Sequence, residues 1–191
     1  MALNVLKIFR TFNPDIFRVN QHLPIRIHEA SSEEQLGDVR HLFRAFVSWH
    51  RSRHLHDLIL IDEYFDETAF EEELDSLPGS YASPGGRLLL ANVDTQPAGC
   101  VALRPINDEY CEMKRMFVYP AFQGIGVGRA LAKKLVDEAK SIGYRSMMLD
   151  TSFRQMEAIK LYESIGFRKI EPYYQLPKKL ESWLVFMQLE L

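Results

Sequence analysis

The sequence predicts an α/β fold: a mixed β-sheet, made of an antiparallel meander and a parallel crossover, flanked by helices on both faces. Three observations carry this. Apolar runs at Arg87–Val93, Gly99–Ile106 and Tyr110–Val118 are separated only by short polar turns, as in a meander. The apolar period then changes to that of a helix from Gly126 to Ile142. A strand, a short helix and a last strand follow, an order that implies a parallel crossover. At 191 residues, 47% hydrophobic and 26% charged, the chain fits one domain able to bury a core.

Taken in order, residues 1–24 read as an N-terminal extension of unknown role, and residues 25–191 as a single domain. The extension could dock on the domain, dock on a second copy to give a homodimer, or stay loose, and its sequence does not decide. Ile25–Ala30 alternates like a half-buried strand, and Ser32 with Gln35 offers a capping box for the next helix. Leu36, Val39, Leu42, Phe43, Phe46 and Val47 recur at helical spacing. A second helix is predicted from about Asp62 to Leu77, stopped by Pro78-Gly79. After the meander, Gly143 ends the helix that begins at Gly126. Ser146–Asp150 reads as a strand, Met156–Ser164 as a helix and Ser182–Leu189 as the last strand.

Composition excludes several functions. Lys and Arg total 23 against 26 Asp and Glu, a net charge of -3, with a pI near 6.1. The chain therefore lacks the basic footprint of a nucleic-acid binder. No apolar run approaches the length needed to cross a membrane, and the N-terminus does not read as a secretory signal. The two cysteines, Cys100 and Cys111, fall in one hairpin; if it turns near Asn107 and Asp108, Cys111 faces Arg104 and lies too far from Cys100 for an easy disulfide. Free thiols fit a reducing compartment, and a cytoplasmic location is expected.

The most informative stretch joins the third meander strand to its helix: Gln123-Gly-Ile-Gly-Val-Gly-Arg129. Glycines at alternating positions let a backbone approach a ligand closely, and the first N–H groups of a helix lack internal partners. Such a turn suits an anion. A dinucleotide fingerprint fails, because the sixth position from Gly124 is Arg129 and from Gly126 is Leu131. A nucleoside-triphosphate loop fails as well, because after four spacers from Gly124, Arg129 and Ala130 stand where Gly and Lys are needed.

The spacing Gln123, Gly126, Gly128 resembles the acyl-coenzyme A loop of the GNAT superfamily of N-acetyltransferases, and Ala158–Phe167 resembles that family's second hallmark. The resemblance covers nearly the whole chain beyond the first 24 residues. It implies a GNAT-type fold and transfer of an acetyl group from acetyl-CoA, as co-substrate, to a primary amine, by direct attack in a ternary complex. It implies that Gln123, Gly124, Ile125, Gly126, Val127, Gly128 and Arg129 cradle the coenzyme pyrophosphate. Met116, Phe117 and Val118 are implied to pair with the pantetheine arm, the Met116 N–H meeting the thioester carbonyl. Tyr162 takes the position of the proton donor to the departing thiolate, and Glu112 that of a general base found in some members. Met156 departs from the pattern, standing where many members have a coenzyme-contacting Asn.

The acceptor is expected to be a small molecule, because nothing resembles a peptide groove. Lys114 and Arg115 alternate along the active strand, and His50, Arg51, Arg53, His54 and His56 cluster beyond the first helix, so an anionic acceptor is expected. In this fold the acceptor pocket is usually walled by segments matching Trp49–His56 and Pro172–Gln175. His50 and His54 have metal spacing but no third ligand, so no metal is expected. Two rival readings stay open: a protein or peptide amine as acceptor, and a coenzyme-binding regulatory module without turnover. The presence of both Tyr162 and Glu112 favours the enzyme.

Overall fold

The computed structural model describes residues 24–191, so the reading of residues 1–24 as an extension lies, Pro24 apart, outside the described residues. A seven-stranded sheet runs in the order β1-β2-β3-β4-β5-β7-β6. Its strands are β1 (Ile25–Glu29), β2 (Arg87–Val93), β3 (Gln96–Pro105), β4 (Tyr110–Val118), β5 (Ser146–Ser152), β6 (Arg168–Ile170) and β7 (Leu184–Glu190). Only β4 and β5 pair in parallel; every other neighbouring pair is antiparallel. The helices are α1 (Glu33–Arg53), α2 (Leu58–Tyr64), α3 (Glu67–Asp75), α4 (Val127–Ile142), α5 (Met156–Ser164) and α6 (Lys178–Glu181).

Strand alternation builds a core on each face of the sheet. Leu88 and Leu90 of β2, Cys100 and Ala102 of β3 and Phe117 of β4 pack under α1, α2, α3 and α6. Leu89 and Ala91, Val101 and Leu103, and Met113 face the other way, under Leu131, Leu135 and Ala139 of α4 and Ile159 of α5. Cys100 belongs to the first core and Cys111 to the second, so the sheet separates the two thiols. Cys111 pairs with Pro105, one place from the expected register, because the turn closes with Asn107 Oδ1 accepting from the N–H groups of Glu109 and Tyr110.

The capping box at Ser32 and Gln35 forms as expected. The helix expected over 62–77 is two helices, because Asp66 starts a new one by accepting from the Ala69 N–H at 2.9 Å. α1 runs on to Arg53, so most of the segment expected to connect helices is helical. β6 and α6, three and four residues long, are too short to register as periodic patterns.

The feature that positions the site is a bulge in β4. Cys100 pairs with Phe117 and Ala102 with Lys114, so Arg115 and Met116 together stand against Val101 alone. Arg115 takes φ of 55°, a left-handed conformation that costs a non-glycine residue roughly 1–2 kcal/mol. Its side chain is fixed from α3: Nε donates to Glu73 Oε1 at 2.9 Å, and Nη2 donates to Oε2. The guanidinium lies over Phe65 and Phe70, 5.1 and 5.4 Å from the ring centres. Both charged side chains are largely buried, and the guanidinium holds the Glu73 carboxyl below its usual pKa against the opposing effect of burial.

Glu73→Ala, which leaves a buried guanidinium without its carboxylate, is expected to lower the unfolding free energy by about 3–5 kcal/mol in urea denaturation. Loss of less than 1 kcal/mol would mean that the aromatic rings alone hold the bulge.

Candidate active site

β4 and β5 are paired only at Tyr110–Ser146, Cys111–Met147 and Glu112–Met148. Past Glu112 the two strands part, and cavities open along the gap. At one end is a cavity of about 530 Å³ bounded by Trp49 of α1, Met116–Val118, the glycine loop and α5. At the other end is a cavity of about 590 Å³ bounded by α3, Tyr81, Arg104 and Lys114. A neck of about 40 Å³ lies between them, with Met116 and Tyr162 shared with the first chamber and Tyr64, Lys114 and Arg115 with the second.

The glycine loop forms one wall of the first chamber. Gln123 Nε2 donates to the Val118 carbonyl at 2.9 Å, tying the loop to the end of β4. Gly124 and Gly126 have φ of 81° and 98°, which side chains rarely adopt, and a Cβ at either would meet nothing within 4 Å. Gly126 is the N-cap of α4 and brings no capping side chain, so the first N–H groups of a sixteen-residue helix stay available to an anion. Arg129 Nη2 donates to Ser164 Oγ at 2.9 Å, joining α4 to α5. Met116, Phe117, Val118, Gln123, Gly124, Gly126, Gly128 and Arg129 thus line one chamber together with Tyr162. Val127 turns into the core and Ile125 outward.

Tyr162 stands at the junction of chamber and neck. It is buried, its hydroxyl is 3.7 Å from Met116 Sδ, and desolvation pushes its pKa up, so the phenol keeps its proton at neutral pH. Glu112 lies elsewhere. It is buried, receives Arg104 Nε and Tyr173 Oη at 2.6 Å each, has Lys114 Nζ at 3.6 Å, and lines none of the three cavities. The carboxylate in the neck is Asp150, at the end of β5. Its side chain has no exposure; Tyr64 and Tyr174 donate to it, the latter at 2.9 Å, and Lys114 Nζ lies 3.3 Å away. Lys114 and these phenols outweigh burial and hold its carboxyl below the usual pKa.

Of the cations expected to recruit an anionic acceptor, Lys114 is matched by Asp150 and Arg115 by Glu73. Arg104, which lines the same chamber, is matched by Glu112. Arg51 and Arg53 contact Asp62 and Glu157. Of the expected acceptor walls, Tyr173 and Tyr174 do reach the β4 and β5 carboxylates, but Trp49 and Arg53 face the first chamber. Asp150 escaped notice in the sequence, although a charged residue closing an apolar run at the carboxyl end of a strand in a parallel pair is a usable signal. Among the described residues, no group of three or more His, Cys, Asp or Glu is placed to hold a metal ion, and no helix is long and apolar enough to cross a membrane.

Residues 41–167 match the family model described as "Acetyltransferase (GNAT) family". This chain belongs to the GNAT acetyltransferases. An uncharacterized N-acetyltransferase of Schizosaccharomyces pombe is 35% identical over 142 residues, 70% of this chain and 85% of its own length. An L-methionine sulfoximine/L-methionine sulfone acetyltransferase of Salmonella typhimurium is 37% identical over 78 residues, 40% of this chain and 46% of its own. The PaiA N-acetyltransferase of Thermoplasma acidophilum, solved in complex with coenzyme A, shares the fold at a TM-score of 0.65, with 17% identity, over 88% of this chain and 100% of its own. In this GNAT chain, Met156 opens α5 and is 52% exposed.

A buried histidine borders the neck. His50 contacts Gln155 through Nε2, and its Nδ1 has no partner among the described residues. Burial, with His54 and Arg53 nearby, lowers its pKa from 6.5 to about 4, so the native imidazole is neutral where an unfolded one is protonated. The unfolded chain then binds more protons across that window, and stability falls as pH drops from about 6.5 to about 4. In a series of urea melts, His50→Phe is expected to flatten the pH dependence over that interval. An unchanged slope would place the proton uptake on other groups.

Proposed function

We propose that this chain transfers an acetyl group from acetyl-CoA to a primary amine of a small molecule, by direct attack with both substrates bound. The observation that carries the reading is the two-chambered passage, with Tyr162 where its neck meets the glycine-loop chamber. The Salmonella relative's named substrates are small molecules, which favours a small acceptor over a peptide. Because each cation lining that chamber already has a carboxylate, the reading no longer calls for an anionic acceptor.

The loop amides from Gln123 to Arg129 would hold the coenzyme pyrophosphate, since the helix terminus supplies partial positive charge without needing lysine. Met116–Val118 have no strand partner on the β5 side, so their backbone is available to the pantetheine amides. The Met116 N–H would meet the thioester oxygen as negative charge develops on it. Tyr162, kept protonated by burial, would give its proton to the departing sulfur. Direct attack is favoured over a cysteine-bound acyl intermediate, because both thiols are buried away from the passage and desolvation pushes Cys111 up to about 12 and Cys100 higher. We assign Glu112 the task of holding Arg104, Tyr173 and Lys114 in place, because it lines none of the three cavities and its partners occupy it.

Gly126→Asp, which forces a charged side chain onto a left-handed position in the cradle, is expected to abolish acetyl-CoA binding in calorimetry while the circular dichroism spectrum is kept. Affinity equal to the wild type would remove the cradle. Tyr162→Phe keeps the ring and loses the proton, so kcat should fall by about 10²- to 10⁴-fold with little change in acetyl-CoA affinity. Normal turnover in that variant, read as release of free thiol, would make Tyr162 a packing residue.

A further inference from the structure

The inner end of the acceptor chamber already holds a primary ammonium group, that of Lys114. Its Nζ lies 3.3 Å from Asp150 Oδ2 and 3.2 Å from Tyr64 Oη, over the Tyr64 ring at 5.5 Å from the centre. A carboxylate, a phenol oxygen and an aromatic face are together what an ammonium group needs when it leaves water. The seat is enclosed: the Lys114 side chain is 13% exposed and that of Asp150 not at all. It also borders the neck that Met116 and Tyr162 line.

We propose that Asp150 is the catalytic carboxylate that receives the acceptor's ammonium group, and that Lys114 keeps this seat filled until the acceptor enters, then passes to Glu112. The proposal rests on the transferase reading above. A buried cation must stay paired. Lys114 satisfies this in both positions, because Glu112 Oε1 is already 3.6 Å from Nζ. In the exchange the incoming ammonium faces Asp150, while Lys114 shares Glu112 with Arg104, whose side chain is 43% exposed and keeps solvent as a second partner. Tyr64 and Tyr174, both donating to Asp150, hold the carboxylate in place while its partner changes.

The proton count closes. The bound ammonium gives one proton to Asp150 and becomes a nucleophile. Its nitrogen forms the new bond to the acetyl carbon, and the carbon–sulfur bond breaks. The sulfur takes a proton from Tyr162, the nitrogen's second proton restores that phenol, and the proton on Asp150 leaves to solvent. One amide, one thiol and one free proton result.

The test uses the full chain and ethylammonium chloride as the probe. Lys114→Ala empties the seat and strands Asp150, so ethylammonium at tens of millimolar should raise the variant's Tm well above the effect of equal sodium chloride. Lys114→Ala/Asp150→Asn, which buries no unpaired charge, should not respond. If Lys114→Ala is unfolded without probe, recovery of its folded signal by ethylammonium carries the same meaning. A Lys114→Ala protein indifferent to ethylammonium, or a double variant that responds equally, overturns the seat. In a panel of amino acids and diamines with acetyl-CoA, Asp150→Asn should lower kcat/KM by about 10²- to 10⁴-fold without weakening acetyl-CoA binding. Wild-type turnover in Asp150→Asn also overturns the proposal. A wild-type chain that acetylates nothing in the panel sinks the transferase reading, while the ethylammonium comparison still decides whether Asp150 seats an amine.

Discussion

The parting of β4 from β5 beyond Glu112 is the constraint on which the site depends, because a sheet hydrogen-bonded along its full length would leave no path between the chambers. One extra residue further along keeps the strands apart. With Arg115 and Met116 opposite Val101 alone, β4 bends, and none of its later residues pairs with β5. A left-handed arginine does not persist unaided, and the ion pair to Glu73, with two phenyl rings under the guanidinium, holds it there. α3 therefore does more than cover the sheet, since it clamps the strand that opens it.

Charge follows the same line. Six ionised groups, Glu73, Arg104, Glu112, Lys114, Arg115 and Asp150, lie on or against β4 and β5 as three contacting pairs. Such pairs add little net stability over apolar packing but are costly to break singly. What they supply is placement: each side chain has a partner fixed on another element, so every cation that lines the far chamber is matched.

Local signals in the sequence were legible wherever a few neighbouring residues decide the structure. Ser32 and Gln35 announce the start of α1, and the glycines from 124 to 128 announce the turn into α4. The meander and the crossover were readable from the change in period. What stayed hidden depends on distant partners. Glu112 reads as a free strand carboxylate until Tyr173, 61 residues on, is brought to it. Asp150 gains its meaning from Tyr64, 86 residues earlier. The division at Asp66 was not read from the sequence, because helical spacing on either side of it masked the break. No pattern in the chain marks the bulge, because Arg115 adopts its conformation through contacts with α3.

The two chambers share no lining residue, and the neck borders both. On the proposed reading, with donor in one chamber and acceptor in the other, each approaches through its own mouth, so neither blocks the other's way in or out. Either can load first and either product can depart first, and the sequence of events is then set by relative affinities and concentrations rather than by obstruction. The same narrow junction, of about 40 Å³, leaves little room for water beside two reacting groups.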